Sequence, residues 1–360
     1  MTAVNPLGVW ILLSTTLLSF ALTRLLIVLA QRNGWVNQPK ADRWSRTPTA
    51  LYGGVAIYSA FALGSLAFLP GLLHSQRYDL LGLLAGGFVI FAVGLRDDLR
   101  ALNPLVKLAG EFMSVMPFLV GLGLAYPSAT FTVCLPFVLL WMVALTNAFN
   151  LLDNMDGLTA GTSVIIGNML ALTALARGVP LVSLFSALIA AACLGFLWFN
   201  LRAREPAHII MGDCSSLFLG YMLAGLAVVG ICPPTTASIA SLPLPLLIMA
   251  LPIFDTTLVI ILRKREHRAI SQGGKDHSSH RLVYAGLSEK QAVFSLYGIS
   301  LITGGIALSL ERLNQPLLLV AVLLACAAAL ACLGIFLSRY SGMRQAAVTA
   351  TATEPNLSQS

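Results

Sequence analysis

Polarity along the chain alternates between long apolar runs and short polar gaps. Eleven runs are long enough to cross a bilayer as helices or come close to it, at roughly 7–30, 52–70, 80–95, 104–123, 130–147, 157–176, 181–199, 214–231, 242–262, 291–310 and 316–338. Gly and Pro interrupt the third to sixth, which blurs their bounds. The first run, Leu7 to Ala30, lacks the basic flank and small-residue cleavage site of a signal peptide, so it reads as a retained membrane helix. The pattern predicts an all-α, polytopic integral membrane protein with about eleven transmembrane helices. Residues 1–340 are expected to form a single transmembrane domain, and 341–360 a polar, small-residue tail expected to be disordered. An odd number of spans places the two termini on opposite sides.

Composition agrees with that reading. Hydrophobic residues make up 57% and charged residues 10%, against about 25% charged in soluble domains. The net charge of +7 does not point to nucleic acid, which requires a basic face on a soluble domain. Of the 22 Lys and Arg, 17 fall in the odd loops and the C-terminal tail, whereas the even loops hold only Arg77, Arg177 and Arg312. By the positive-inside rule the odd loops are cytoplasmic and the N-terminus is outside. Most acids lie on the same side, so one face carries nearly all the polar chemistry. The six cysteines form no C-x-x-C pair and sit mostly within apolar runs, as small hydrophobes.

The polar face gathers five constellations. Asn147 to Gly157 packs Asp153, Asp156 and three carboxamides between two spans, without a Lys or Arg of its own. On a helix, Asn147, Asn150, Asp153 and Asp156 would share one side; as a turn, Asp156-Gly157 would start the next helix. Asp97-Asp98 ends the third span, where paired carboxylates oppose the helix macrodipole and call for a cation. Lys107 and Glu111, one turn apart, form either a buried pair or, for Lys107, a reach toward a phosphate at the surface. Asp213 opens the eighth span, and Asp255 lies inside the ninth, facing a polar interior or a neighbouring helix. Between Arg263 and Lys290 a basic loop carries Gly273-Gly274-Lys275-Asp276-His277-Ser278-Ser279-His280-Arg281. Such donors suit phosphate oxygens. Carboxylates and carboxamides together suit a hard divalent cation, most plausibly Mg²⁺, with Mn²⁺ as a substitute. A phosphoryl-transfer enzyme with one lipid and one soluble substrate fits this inventory.

At these motifs the sequence resembles the polyprenyl-phosphate N-acetylhexosamine-1-phosphate transferases. These include the GlcNAc-1-phosphate transferases that start envelope polysaccharides and the phospho-MurNAc-pentapeptide translocase. The resemblance is carried by Gly53-Gly54, Gly94-Leu95-Arg96-Asp97-Asp98 with Lys107, and Asn147 to Gly157. It continues through Phe199-Asn200, Pro206-Ala207 before Met211-Gly212-Asp213, Pro252-Ile253-Phe254-Asp255, and Asp276-His277 with His280-Arg281-Leu282. It implies transfer of a sugar 1-phosphate, with GlcNAc the first candidate sugar, from a UDP-N-acetylhexosamine to polyprenyl (undecaprenyl) phosphate, releasing UMP. It further implies that Asp213 and Asp153 bind Mg²⁺, and that Asp97 and Asp98 sit at the polyprenyl-phosphate end, with Asp97 a candidate base. Asn150, Asp153 and Asp156, with Asn200, would organise the metal and nucleotide-sugar. Lys107, His277, His280 and Arg281 would engage phosphates. The implied setting is a bacterial plasma membrane with cytoplasmic catalytic loops; a homodimer is compatible with it.

Three positions depart from the family pattern. Ser279 stands where a His is usual, Asn37-Gln38-Pro39 replaces Asp-x-Pro, and Cys214-Ser215-Ser216 follows Asp213 in place of Gly-Ser. The loop is closer to the GlcNAc type than to the His-His-His run of the peptidoglycan translocase, which is the second reading. A CDP-alcohol phosphotransferase is disfavoured because Asp156-Gly157-Leu158-Thr159-Ala160 runs into Gly161 rather than Arg. A transporter would call for internal repeats and mid-membrane charges, and the acids instead collect at one face.

Overall fold

A computed structural model describes residues 6–37, 49–127, 129–202, 205–232, 242–269, 274–311, 313 and 315–352. Lys40, Arg43, Arg46, Gln38-Pro39, Arg204, Gly273, Arg312 and the last eight residues of the expected tail lie outside them.

In chain order the elements are α1 (Pro6–Asn33), β1 (Val36–Asn37), β2 (Thr49–Ala50), α2 (Gly53–Leu66), α3 (Leu69–His74), α4 (Tyr78–Leu99), α5 (Pro104–Ala125) and α6 (Ala129–Leu152). They continue with α7 (Leu158–Ala176), α8 (Pro180–Asn200), α9 (Asp213–Ile231), α10 (Pro243–Ile248), α11 (Ala250–Arg265), α12 (Ser278–Tyr284), α13 (Glu289–Glu311) and α14 (Pro316–Ala352). Each of the eleven expected runs is helical. Nine helices among the described residues are long and apolar enough to cross a membrane, and two expected spans differ.

The run at 52–70 gives the 14-residue α2 and then the separate α3, which begins around Pro70. The run at 242–262 breaks at Met249 into α10 and α11. Pro252 has no N–H to give to the carbonyl four residues back, and its ring crowds that carbonyl. By contrast, Pro117 and Pro136 stay inside α5 and α6, as neighbouring groups in membrane bundles permit. α14 continues to Ala352, past the boundary expected for the tail.

α9 is the centre of the bundle. Every residue from Cys214 to Ile231 is buried, and α2, α4, α6, α7 and α8 pack around it. Its sequence is apolar on all sides, as a helix with no water-facing surface requires. The outer helices turn large side chains outward, among them Trp10, Phe88, Phe137, Trp198 and Leu317, as suits contact with lipid tails. α9 can therefore meet water and ligands only at its ends. Asp213 is its first residue.

Among the described residues, the small antiparallel pair β1–β2 departs from all-α architecture, with Val36 opposite Ala50 and Asn37 opposite Thr49. Ala50 also bridges Ile209 in parallel, and the Gly53 and Gly54 N–H groups donate to Ile210 O and Met211 O at 3.0 and 2.8 Å. These contacts lay the segment leading to Asp213 along the first loop and fix its path.

Candidate active site

The site is assembled at the N-terminal end of α9. Gly212 adopts φ +81° immediately before the helix and supplies no capping side chain. The missing cap comes from another helix. Both carboxylate oxygens of Asp98, at the end of α4, accept backbone N–H bonds, Oδ1 from Asp213 at 2.8 Å and Oδ2 from Cys214 at 3.0 Å. A carboxylate is well matched to orphan N–H groups and to the positive end of a helix dipole. The approach demands small residues. A Cβ on Gly212 would lie 2.7 Å from Asp98 Oδ2, and one on Gly94 would lie 2.6 Å from Asp213 O.

Asp97 turns the other way. Its Oδ1 accepts from Leu102 N at 2.6 Å, and its Oδ2 lies 3.0 Å from Lys107 Nζ. Lys107 sits in the first turn of α5, which Asn103 caps through Leu105 N at 2.9 Å. The same ammonium reaches Asp213 Oδ2 in a close ion pair and Asn150 Oδ1 at 3.3 Å. Asn150 Nδ2 in turn donates to Ser216 Oγ on α9 at 3.0 Å. Asp97, Lys107, Asn150 and Asp213 thus form one hydrogen-bonded network drawn from four helices. Glu111 is not paired with Lys107; it is buried and accepts a close hydrogen bond from Asn147 beneath the network.

The Asn147–Gly157 stretch is both helix and turn. Asn147 and Asn150 lie on α6, which ends at Leu152, and Gly157, with φ +80°, is the residue immediately before α7. Asp153 lies in the turn between them. Burial, and next the negative charges of Asp213 and Asp98, push its carboxyl up to about 7. Burial also raises Asp156, which accepts from Ala207 N at 3.2 Å. Asn200 is a brace: its Oδ1 accepts from Gly157 N at 2.7 Å, and its Nδ2 donates to Ile209 O at 2.8 Å.

The histidine loop forms the other side. Arg263 holds Asp276 with two hydrogen bonds of 3.0 Å, and Arg268 adds one at 2.7 Å. Burial alone would raise the Asp276 carboxyl, but Arg263 and then Arg268 hold it down at about 2. Asp255 is fully buried and takes three contacts, from His277 Nδ1 at 2.8 Å, Ser278 N at 2.7 Å and Ser278 Oγ at 2.6 Å. His280 packs edge-on to His277 with ring centroids 5.7 Å apart. Burial, followed by the charge of His277, holds His280 down at about 4, so it is neutral near pH 7. Ser279 Oγ donates to Asn154 Oδ1 at 2.5 Å, tying this loop to the Asp153–Asp156 turn.

Two expected ligand groups occupy structural positions here. Arg281 is 1% exposed and spends its guanidinium on Asp276 O at 3.0 Å and Leu337 O of α14 at 3.2 Å. Asp98 is committed to capping α9. Two contributors escaped the sequence reading, Arg263 as the holder of Asp276 and Asn154 as the partner of Ser279; a third, Asp255, was marked there, and the structure makes it the anchor of the histidine loop. Asp255 alone carried a signal, an acid inside an apolar run.

Fold and site together define a multi-pass membrane enzyme whose acidic centre lies at one end of a buried helix. A sequence profile of glycosyl transferase family 4 matches residues 80–231, the segment from α4 to the end of α9. The chain is 35% identical, over 76% of its own length and 76% of the relative's, to a probable undecaprenyl-phosphate N-acetylglucosaminyl 1-phosphate transferase of Bacillus subtilis. It is 31% identical to a decaprenyl-phosphate N-acetylglucosaminephosphotransferase of Mycolicibacterium smegmatis, covering 79% of this chain and 77% of that protein. A phospho-N-acetylmuramoyl-pentapeptide-transferase of Halalkalibacterium halodurans is 30% identical, covering 76% of this chain and 86% of that protein. The chain belongs to glycosyl transferase family 4.

Proposed function

We propose that the protein transfers GlcNAc 1-phosphate from UDP-GlcNAc to a polyprenyl phosphate, releasing UMP and leaving a lipid-linked sugar for envelope polysaccharide synthesis. The network of Asp97, Lys107, Asn150 and Asp213 at the mouth of α9 carries this reading. It places an ammonium and several carboxylates where a membrane-held phosphate and a soluble diphosphate can meet. The choice of GlcNAc rests on the names of the relatives at 35% and 31% identity and on the Asp276-His277-Ser278-Ser279-His280 loop. The muramoyl-pentapeptide relative makes phospho-MurNAc-pentapeptide transfer the second reading. The loop charges support placing the site on the cytoplasmic side of a bacterial inner membrane.

In the reaction, an oxygen of the polyprenyl phosphate attacks the sugar-linked phosphorus of the nucleotide-sugar. The bond from that phosphorus to the bridging oxygen breaks, and UMP leaves with the electron pair. A phosphate monoester has its second pKa at about 6, so the nucleophile is already ionised near neutral pH and needs no strong base. Both oxygens of Asp97 are held by donors, which supports a role in placing Lys107 over one in taking a proton. Asp98 places Asp213 by capping α9. Asp156 and Asn200 hold the turn that carries Asp153, and Asp255 orients His277 toward the nucleotide-sugar end.

The residues fit Mg²⁺. Among the described residues no cluster of three ligands is prearranged, but the donors here are oxygens, as a hard cation prefers. Their negative charge exceeds what Lys107 offsets, and the Asp213 side chain is 33% exposed. Asp213 and Asp153 would hold the ion, which supplies charge stabilisation for the diphosphate.

The test is UMP release by the purified protein in detergent with polyprenyl phosphate, Mg²⁺ and a panel of UDP-GlcNAc, UDP-GalNAc and UDP-MurNAc-pentapeptide. Turnover with UDP-GlcNAc at the highest kcat/KM is expected. Folded protein inactive on every sugar would overturn the reaction class, and preference for the pentapeptide would overturn the sugar.

A further inference from the structure

The geometry points to Lys107 as a built-in competitor of the divalent cation: its ammonium neutralises Asp213 when the metal is absent, must leave Asp213 when the metal binds, and only then can serve a substrate phosphate. This inference rests on the proposed metal reading at Asp213. An ammonium has three N–H donors. Lys107 has three oxygen partners, namely Asp97 Oδ2 at 3.0 Å, Asn150 Oδ1 at 3.3 Å and Asp213 Oδ2 in the close ion pair. All three donors are spent. A phosphate therefore gains a hydrogen bond from Lys107 only if one of these partners is given up.

Asp213 is the partner that metal binding would remove. A divalent ion on its carboxylate would stand within a few ångströms of the ammonium, and like charges so close repel strongly in a partly buried site. The other charged groups around Lys107 define where it can go. Glu111, one turn deeper on α5, is already taken by Asn147, so it offers no ready landing place. Asp97 keeps Lys107 tethered and has its second oxygen engaged by Leu102 N. Lys107 is in the first turn of α5 and 17% exposed. The ammonium can therefore pivot on Asp97 toward the mouth of the site. One side chain would stabilise the metal-free acid cluster and later couple metal arrival to phosphate capture, and the two cations would oppose each other by the same free energy in either order of binding.

The decisive measurement is Mn²⁺ binding, followed by electron paramagnetic resonance of the free ion, to wild type, Lys107→Gln and Asp213→Asn in detergent. Lys107→Gln should bind Mn²⁺ about tenfold more tightly than wild type, the order expected when a unit positive charge is removed beside a bound cation, even though its turnover falls. Equal or weaker binding would overturn the inference. Asp213→Asn should bind far more weakly; if it matched wild type, the metal reading at Asp213 would fail, which is a different outcome from failure of the competition. A second measurement needs no variant. Acetylation of Lys107 in wild type, read by mass spectrometry, should become several-fold faster when Mn²⁺ is added, because the amine is released from a carboxylate. Unchanged or slower labelling would overturn the inference.

Discussion

The two ends of the helical bundle handle charge in opposite ways. At the end remote from the N-terminus of α9, acids and bases close on one another. Asp79 is fully buried and is held by Arg77 through two hydrogen bonds of 2.9 Å and by Tyr126 Oη at 3.1 Å. Arg177 holds Glu311 at 2.7 and 3.0 Å and donates to Ile231 O at 2.5 Å, sealing the last turn of α9. Each carboxylate there has its own guanidinium. At the start of α9, Asp97 and Asp213 share the single ammonium of Lys107, and Asp98 and Asp153 add further negative charge beside Asp213. Matched pairs are what stability alone requires. An excess of one sign in a partly buried site costs stability, and that cost is tolerated where ligands of opposite charge bind.

The largest test of this contrast is a pair of substitutions. Asp213→Asn should lower kcat/KM for UMP release by about 10³-fold or more, the scale of losing a group that stabilises transition-state charge. It should leave the melting temperature near that of wild type, since it relieves repulsion as well as removing an ion pair. Arg77→Met should do the reverse. Leaving Asp79 buried without its guanidinium should cost about 3 kcal/mol of stability, read as a lower melting temperature in detergent, while kcat/KM of the surviving folded protein stays within about twofold of wild type. If Arg77→Met abolished turnover without destabilising the protein, the division between a structural end and a chemical end would be wrong.

Much of the chemical end was legible from sequence because charge in an apolar chain is conspicuous. Asp97, Asp98, Lys107, Asp153 and Asp213 each stand at the edge of a span, and alternation of spans is enough to bring them to one face. The assignment of partners was not legible. That Asp98 caps α9 depends on Gly94 and Gly212 letting α4 approach within contact distance, and that Lys107 prefers Asp213 to Glu111 depends on Asn147 having claimed Glu111. The same holds for Ser279 and Asn154, 125 residues apart in the chain. In the fold, the runs marked the helices, whereas the break at Met249 and the short α2 follow from local proline chemistry that hydropathy averages out. Arg77 and Arg177 looked like stray exceptions to the positive-inside pattern; each is one half of an ion pair.

The smallest test concerns the histidine loop, which combines both strategies: Asp276 is matched by Arg263 and Arg268, whereas His280 is buried close to His277. His280 is held at about 4, below its ordinary value of about 6.5. Between those values the open loop binds a proton that the closed loop does not, so the closed form loses stability as pH falls from about 6.5 to about 4, by at most about 3 kcal/mol. Asp276, at about 2, keeps its ion pairs across that whole window and contributes a further loss only as pH falls from about 4 to about 2. Hydrogen exchange of residues 274–285 should therefore rise in two steps on acidification, the first removed by His280→Gln and the second retained. A single step near pH 3, unaffected by His280→Gln, would show that the loop is held by the Asp276 ion pairs alone. The buried histidine would then impose no cost on closing it.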